Sequence, residues 1–399
     1  GLLTLQMIAL VLLALLFWQR SDPGQVQRSH LLALGLLLLL PLLQIIPLPA
    51  GMLDALSGSV DYTLAAELAW RGESERRATL SLNPRETLSA WLTLLLPVAV
   101  YLSARFLAVA QLQKLMLLLL AGAGLQAVLG LVQFGGGPDS PFYLGMERAH
   151  FGSAIGTYTS RNNYVGYLYL SLMICLALYF STLGRHRRRA GSQSLRQRLL
   201  FLSTARGHRA FLLGALCLLL LLAIVFSRSR AGIGLTMLGV VLASIAFSRR
   251  IGGDNVYGIT GTIIAVLAGI AVSIGLAPVL DRFSANDALT DGRWTIFEGV
   301  LQGIGRFMPF GSGAGTFRET FHPFHDISQA VVTINRAHND YLEWLYTGGL
   351  PAGMLIALFL AFYAARWPQL WKAGSWGEFR YLQVGAGLGM LLMLLHELV

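Results

Sequence analysis

The sequence predicts an all-α polytopic membrane protein, and three observations support that fold class. Hydrophobic residues make up 55% of the 399-residue chain and charged residues only 13%, a balance outside the soluble globular range. Mean hydropathy is +0.61. Several apolar stretches reach about twenty residues, the length at which a helix crosses a hydrocarbon core of about 30 Å. Leu, Ala and Gly dominate these stretches without period-two alternation, which points to helices rather than a β-barrel.

About ten spans follow from this pattern. The first, residues 2–18, precedes a short loop with Arg20 and Arg28. Residues 31–48 form the second, before a long loop at 49–87. The third, 88–104, ends at Arg105, and the fourth, 114–133, opens onto a loop at 134–162. The fifth, 163–183, leads into a basic loop at 184–210. Spans six and seven, 211–227 and 231–248, are joined by a very short turn, and Arg249 and Arg250 follow. The eighth, 257–277, precedes the longest loop, 278–340. The ninth, 341–363, is followed by Arg366 and Lys372, and the tenth covers 381–398.

The distribution of charge orients these spans. The formal net charge is +10, which taken alone invites a nucleic-acid partner. Instead, Arg185, Arg187, Arg188, Arg189, Arg196, Arg198, Arg206 and Arg209 crowd one loop that holds no acid. That is the positive-inside pattern of a cytoplasmic loop, with contact to anionic lipid headgroups as an added role. Alternation then makes 49–87, 134–162 and 278–340 external, and these hold most of the acids. Residue 1 is not Met and starts outside, while Val399 follows His396-Glu397 at the end of a span. A fragment lacking at least one helix at each end is therefore expected. Cys175 and Cys217 both fall inside spans, as small packing residues rather than a disulfide or zinc site. No internal or inverted repeat is visible.

Three polar clusters sit on the external side. One is Gly156-Thr157-Tyr158-Thr159-Ser160-Arg161-Asn162-Asn163-Tyr164, leading into the fifth span. Another is the turn Phe226-Ser227-Arg228-Ser229-Arg230-Ala231-Gly232. The third is the long loop, with Asp291-Gly292-Arg293-Trp294, the run Gly311-Ser312-Gly313-Ala314-Gly315, and Arg336-Ala337-His338-Asn339-Asp340-Tyr341-Leu342 at its end.

Arg228 and Arg230 run against the positive-inside rule, in a turn too short to carry both into bulk water. Guanidinium groups are forks suited to phosphate oxygens, so the pair points to an anionic ligand. The alternative is that one snorkels to headgroups and the other pairs with a carboxylate. Arg161 could equally be an interfacial arginine, with Asn162 and Asn163 capping the helix. Arg293 beside Trp294 could belong to an amphipathic surface helix. The glycine run lacks the lysine of a P-loop and reads as a turn with close backbone packing.

His338 stands at the N-terminal end of a predicted span. A helix N-terminus disfavours the imidazolium, leaving a neutral ring that can take a proton. Asn339 and Asp340 stand ready to orient it. An interfacial histidine satisfied by a backbone carbonyl is the competing account. His322 and His325 share the loop with Asp326, but two ligands around Pro323 make no metal site; they read as solvated.

In order and spacing, these clusters resemble the O-antigen ligase and O-antigen polymerase superfamily of bacterial envelope glycosyltransferases, over about residues 155–350. The segment Arg336-Ala337-His338-Asn339-Asp340-Tyr341-Leu342 is its most specific part. The resemblance implies a GT-C-like fold of about a dozen helices, with a long periplasmic loop containing short helices folded over a cavity. Residues 1–399 would then be a single transmembrane domain in the bacterial inner membrane, its active site facing the periplasm. It further implies glycan transfer from undecaprenyl pyrophosphate to an acceptor hydroxyl, with no metal, cofactor or nucleic acid.

On that reading, His338 is the catalytic base and Arg230 and Arg293 stabilise the developing charge. Arg161, Arg228, Arg230 and Arg293 hold the donor pyrophosphate, and Asn162, Asn339 and Asp340 support them. Membrane lipid surrounds the helices. The acceptor is the lipid A core for a ligase, or a second lipid-linked glycan for an O-antigen or exopolysaccharide polymerase. An anion or lipid transporter is the reading from another class. The missing inverted repeat and the size of the external loop count against it.

Overall fold

The computed structural model describes residues 2–18, 27–49, 52, 77–143, 152–187, 203–251, 293–324, 334–371 and 376–398. These are almost entirely helical, and a two-residue ladder of Leu48–Pro49 (β1) with Arg77–Ala78 (β2) is the sheet among them. The helices are α1 (Leu2–Trp18), α2 (Arg28–Gln44), α3 (Pro84–Phe106), α4 (Val109–Gly135), α5 (Arg161–Arg187), α6 (Ala205–Phe226), α7 (Arg230–Ile251), α8 (Arg293–Phe307), α9 (Phe317–Thr320), α10 (Asp340–Trp371) and α11 (Glu378–His396).

Seven of the described helices are long and apolar enough to cross a membrane: α3, α4, α5, α6, α7, α10 and α11. The expected count of about ten is thus too high for the described residues. Helix α2 is apolar but has only 17 residues, about 26 Å at the helical rise, and the apolar α1 is described over Leu2–Trp18. The expected span at 257–277 lies outside the described residues, as do most of the basic loop and Asp291-Gly292, His325 and Asp326.

The described chain forms two compact units. In the first (Gly1–Ala108, Leu289–Trp367 and Leu398), α3 packs against α1 and α2. Helix α3 starts where its sequence favours a start: the Asn83 side chain accepts from Glu86 N at 3.4 Å, and Pro84 takes the first helical position. Over the start of α10 lies a separate apolar core of Val300, Phe307, Phe317, Phe321, Ala337 and Tyr346. It joins α8, α9 and the first turns of α10.

In the second unit (Val109–Ala288, Pro368–Glu397 and Val399), α5 is central and packs against α4, α6, α7 and α11. Small residues allow the close crossings. A Cβ on Gly385 would stand 2.7 Å from Met173 O in α5. At the start of α6, Arg209 grips Glu378 of α11 with two bonds of 2.9 and 3.2 Å. Cys175 and Cys217 are buried free thiols, and the Cys175 thiol donates to Leu213 O at 3.4 Å.

Candidate active site

The predicted site residues fall into two groups, one in each unit. In the second unit, the ends of α4 and α6 and the starts of α5 and α7 come together. The turn from α6 to α7 occupies three residues, Ser227 to Ser229. Buried Ser227 donates its hydroxyl to Ile224 O at 2.6 Å and accepts from Ser229 N at 3.2 Å. Buried Ser229 then caps α7: its hydroxyl oxygen accepts from Gly232 N at 3.2 Å, and its carbonyl accepts from Ile233 N at 2.9 Å. The same hydroxyl donates to Asn162 Oδ1 at 2.8 Å.

That last bond joins two of the sequence clusters. Arg161 opens α5 and Arg230 opens α7, and Arg228 sits in the turn between α6 and α7. Asn162 does not cap α5 as the sequence allowed. Ser160 holds the cap position, its carbonyl accepting from Tyr164 N at 3.1 Å, and Asn162 reaches sideways to Ser229. A Cβ on Gly232 would collide with the Val165 side chain, so the close approach of α5 and α7 depends on that glycine.

Arg228 takes φ 58°, and its guanidinium carbon lies 5.5 Å from the centre of the Phe134 ring, a cation–π distance. Neither α5 nor α7 has an acid in its first turn. Three guanidinium-bearing residues are therefore grouped with two helix N-termini, whose backbone dipoles add positive potential. Such a constellation suits an anion with several oxygens.

Segment 152–160 is pinned beside this group by two glutamines of α4. Gln133, fully buried, donates to Gly156 O at 2.7 Å and Phe142 O at 3.0 Å, and accepts from Ile155 N at 3.3 Å. Gln126 exchanges two bonds of 2.9 Å with Thr157. Burial pushes the Tyr158 phenol above its ordinary value, so it remains a neutral hydroxyl.

The first unit holds His338, which immediately precedes the cap residue of α10. The Asn339 side chain accepts from Leu342 N at 3.1 Å, and its carbonyl accepts from Glu343 N at 3.0 Å. Asn339 is buried, while His338 and Asp340 are exposed. The loop before the cap is held from inside the helix. Glu343, buried in the first turns of α10, accepts from Ala337 N at 2.9 Å and from the Arg336 guanidinium at 2.8 Å. His338 takes φ 56°, a left-handed conformation that costs a non-glycine residue about 1–2 kcal/mol. Among the described residues, Arg228 and His338 are the two non-glycine residues with positive φ. Both belong to polar clusters that stand out in the sequence.

Arg293 opens α8 in the same unit. His322 lies exposed in a short 3-10 turn, His322–Phe324. The glycine run is a packed turn. Its amides are used inside the fold: Ser312 N donates to Tyr346 O at 3.0 Å, Gly313 N to Thr347 O at 2.9 Å, and Ala314 N to Gln44 Oε1 at 3.0 Å. The Tyr346 and Thr347 carbonyls belong to α10 just before it kinks at Gly349, which has φ 60° and ψ −151°. A Cβ at Gly349 would land on Pro309 O.

Glu343, Gln44, Gln126 and Gln133 lie outside the sequence clusters. Each is a polar residue in an otherwise apolar helix, and that was the available signal. Their partners, however, lie elsewhere in the chain.

Residues 215–357 match a family model described as O-antigen ligase. This segment is similar to the O-antigen ligase superfamily. The match includes Arg228, Arg230, Arg293, His338, Asn339 and Asp340, and it begins after Arg161 and Asn162. No curated protein and no solved structure matches the chain. The O-antigen ligase match, together with the membrane-length helices, supports an envelope-glycan ligase or polymerase type of function in a multi-pass membrane protein.

Proposed function

We propose that this chain is a metal-independent glycosyltransferase of the bacterial inner membrane. It moves a glycan from undecaprenyl pyrophosphate to a hydroxyl of the lipid A core at the periplasmic face. In the proposed step the acceptor oxygen attacks the anomeric carbon, and the bond from that carbon to the pyrophosphate oxygen breaks. The acceptor's proton passes to His338, and the configuration at the anomeric carbon inverts. The leaving pyrophosphate gains charge as the bond breaks, and Arg230 stabilises it with help from Arg161, Arg228 and Arg293.

The observation that supports this reading best is the left-handed backbone at both Arg228 and His338. Left-handed conformations of bulky residues persist where surrounding structure enforces them, and they cluster at functional sites. Here a serine network enforces one and the Glu343 anchor the other. The test is transfer in proteoliposomes supplied with lipid-linked glycan, with and without lipid A core and with no ion gradient. A new glycoconjugate on the lipid A core is the expected product. Elongated lipid-linked glycan in its place would mean a polymerase. Donor moving across the bilayer with no product would replace the enzyme reading with transport.

A further inference from the structure

The first unit contains a cavity of about 330 Å³ between α2, α3, the glycine turn and the start of α10, a size within the range of small-molecule sites. Of the sequence clusters, Ala314, Gly315 and Arg336 reach its wall. Leu37, Leu40 and Leu94 form an apolar side, and Glu86, Ser89 and Trp344 supply polar groups. Among the described residues, the Glu86 carboxylate, the Ser89 hydroxyl and the Trp344 indole N–H have no hydrogen-bond partner. All three residues are half-buried. Half-buried polar groups that line a cavity without partners are suited to a ligand that brings its own donors and acceptors.

The charge of the lining narrows the ligand's chemistry. Arg336 and Glu343 complete the wall and are paired with each other at 2.8 Å. Glu86 adds a second carboxylate against the single guanidinium, so the lining is formally negative. A pyrophosphate is repelled there, whereas a neutral polyhydroxylated ligand is not. A carboxylate, a hydroxyl and an indole beside an apolar face suit a sugar, which has hydroxyls at its rim and C–H groups on its faces. The cavity wall is also continuous with the loop that bears the proposed base. Arg336 and Glu343 flank His338 in sequence, and Glu343 holds the neighbouring Ala337 N–H.

We propose that this cavity is the saccharide subsite for the acceptor, distinct from the arginine group that takes the donor's pyrophosphate. The proposal rests on the transfer function above for the ligand's role, but not for its binding. The test uses the full chain purified in a detergent without a sugar headgroup, and reads binding by titration calorimetry. The probes are a dephosphorylated lipid A core oligosaccharide and farnesyl pyrophosphate. The oligosaccharide is expected to bind the unaltered protein. Glu86→Gln and Trp344→Ala should each weaken it at least tenfold, and Ser89→Phe, which fills the cavity, should abolish it. Farnesyl pyrophosphate should bind all four proteins alike, which also shows that the variants are folded. Oligosaccharide binding that is absent from the unaltered protein, or equal in all four, overturns the subsite. Binding lost in the variants of a protein that makes no product upholds the subsite and refutes the transfer reading alone.

Discussion

Replacing His338 with alanine and, separately, with glycine divides the roles of its side chain and its backbone. The residue sits at φ 56°, where any L side chain pays about 1–2 kcal/mol that glycine does not. Glycine returns part of that advantage through the greater entropy of its unfolded chain, about 0.5–1 kcal/mol. His338→Gly should therefore be as stable as His338→Ala or more so, by up to about 1 kcal/mol. If the imidazole is the base, both variants lose its chemistry alike, and transfer falls by about two to four orders of magnitude in each. Apparent melting temperature in detergent and initial transfer rate in proteoliposomes are the two measurements. Higher pH should partly rescue both variants by supplying solvent base. The refuting outcome is His338→Gly transferring at near the unaltered rate while His338→Ala does not. In that case the left-handed backbone, and not the ring, is what the reaction needs.

Arg230→Lys keeps the charge at the start of α7 but loses the bidentate fork, so transfer should drop steeply with normal membrane insertion. Arg188→Ala, in the basic loop, serves as the control and should leave the rate nearly intact. Gly349→Ala places a methyl on Pro309 O at a backbone φ of 60°, which should cost more than about 2 kcal/mol and reduce the yield of folded protein. Gln133→Leu removes two hydrogen bonds to segment 152–160 and one to Phe142 O and leaves buried backbone groups unsatisfied, at about 1–3 kcal/mol each. Protease sensitivity of that segment should rise well before the helices unfold.

The membrane class and the position of most helices were determined by the sequence alone, because both follow from local hydropathy over windows of about twenty residues. The site candidates were legible for a related reason: arginines and a histidine at the ends of apolar stretches are costly enough to stand out. Local hydropathy could not place the ends of α2, which runs over Arg28–Gln44 rather than 31–48, since leucines near a helix end read the same whether or not the helix continues. Nor could it find the bond from Ser229 to Asn162, the hold of Glu343 on Ala337 N, or the amides of the glycine turn donating to α10. Each of these pairs an ordinary polar group with a partner chosen by packing. Segregating apolar residues needs only composition along the chain. Satisfying buried polar groups needs the whole fold, and so the left-handed turns at Arg228 and His338 were decided by tertiary structure.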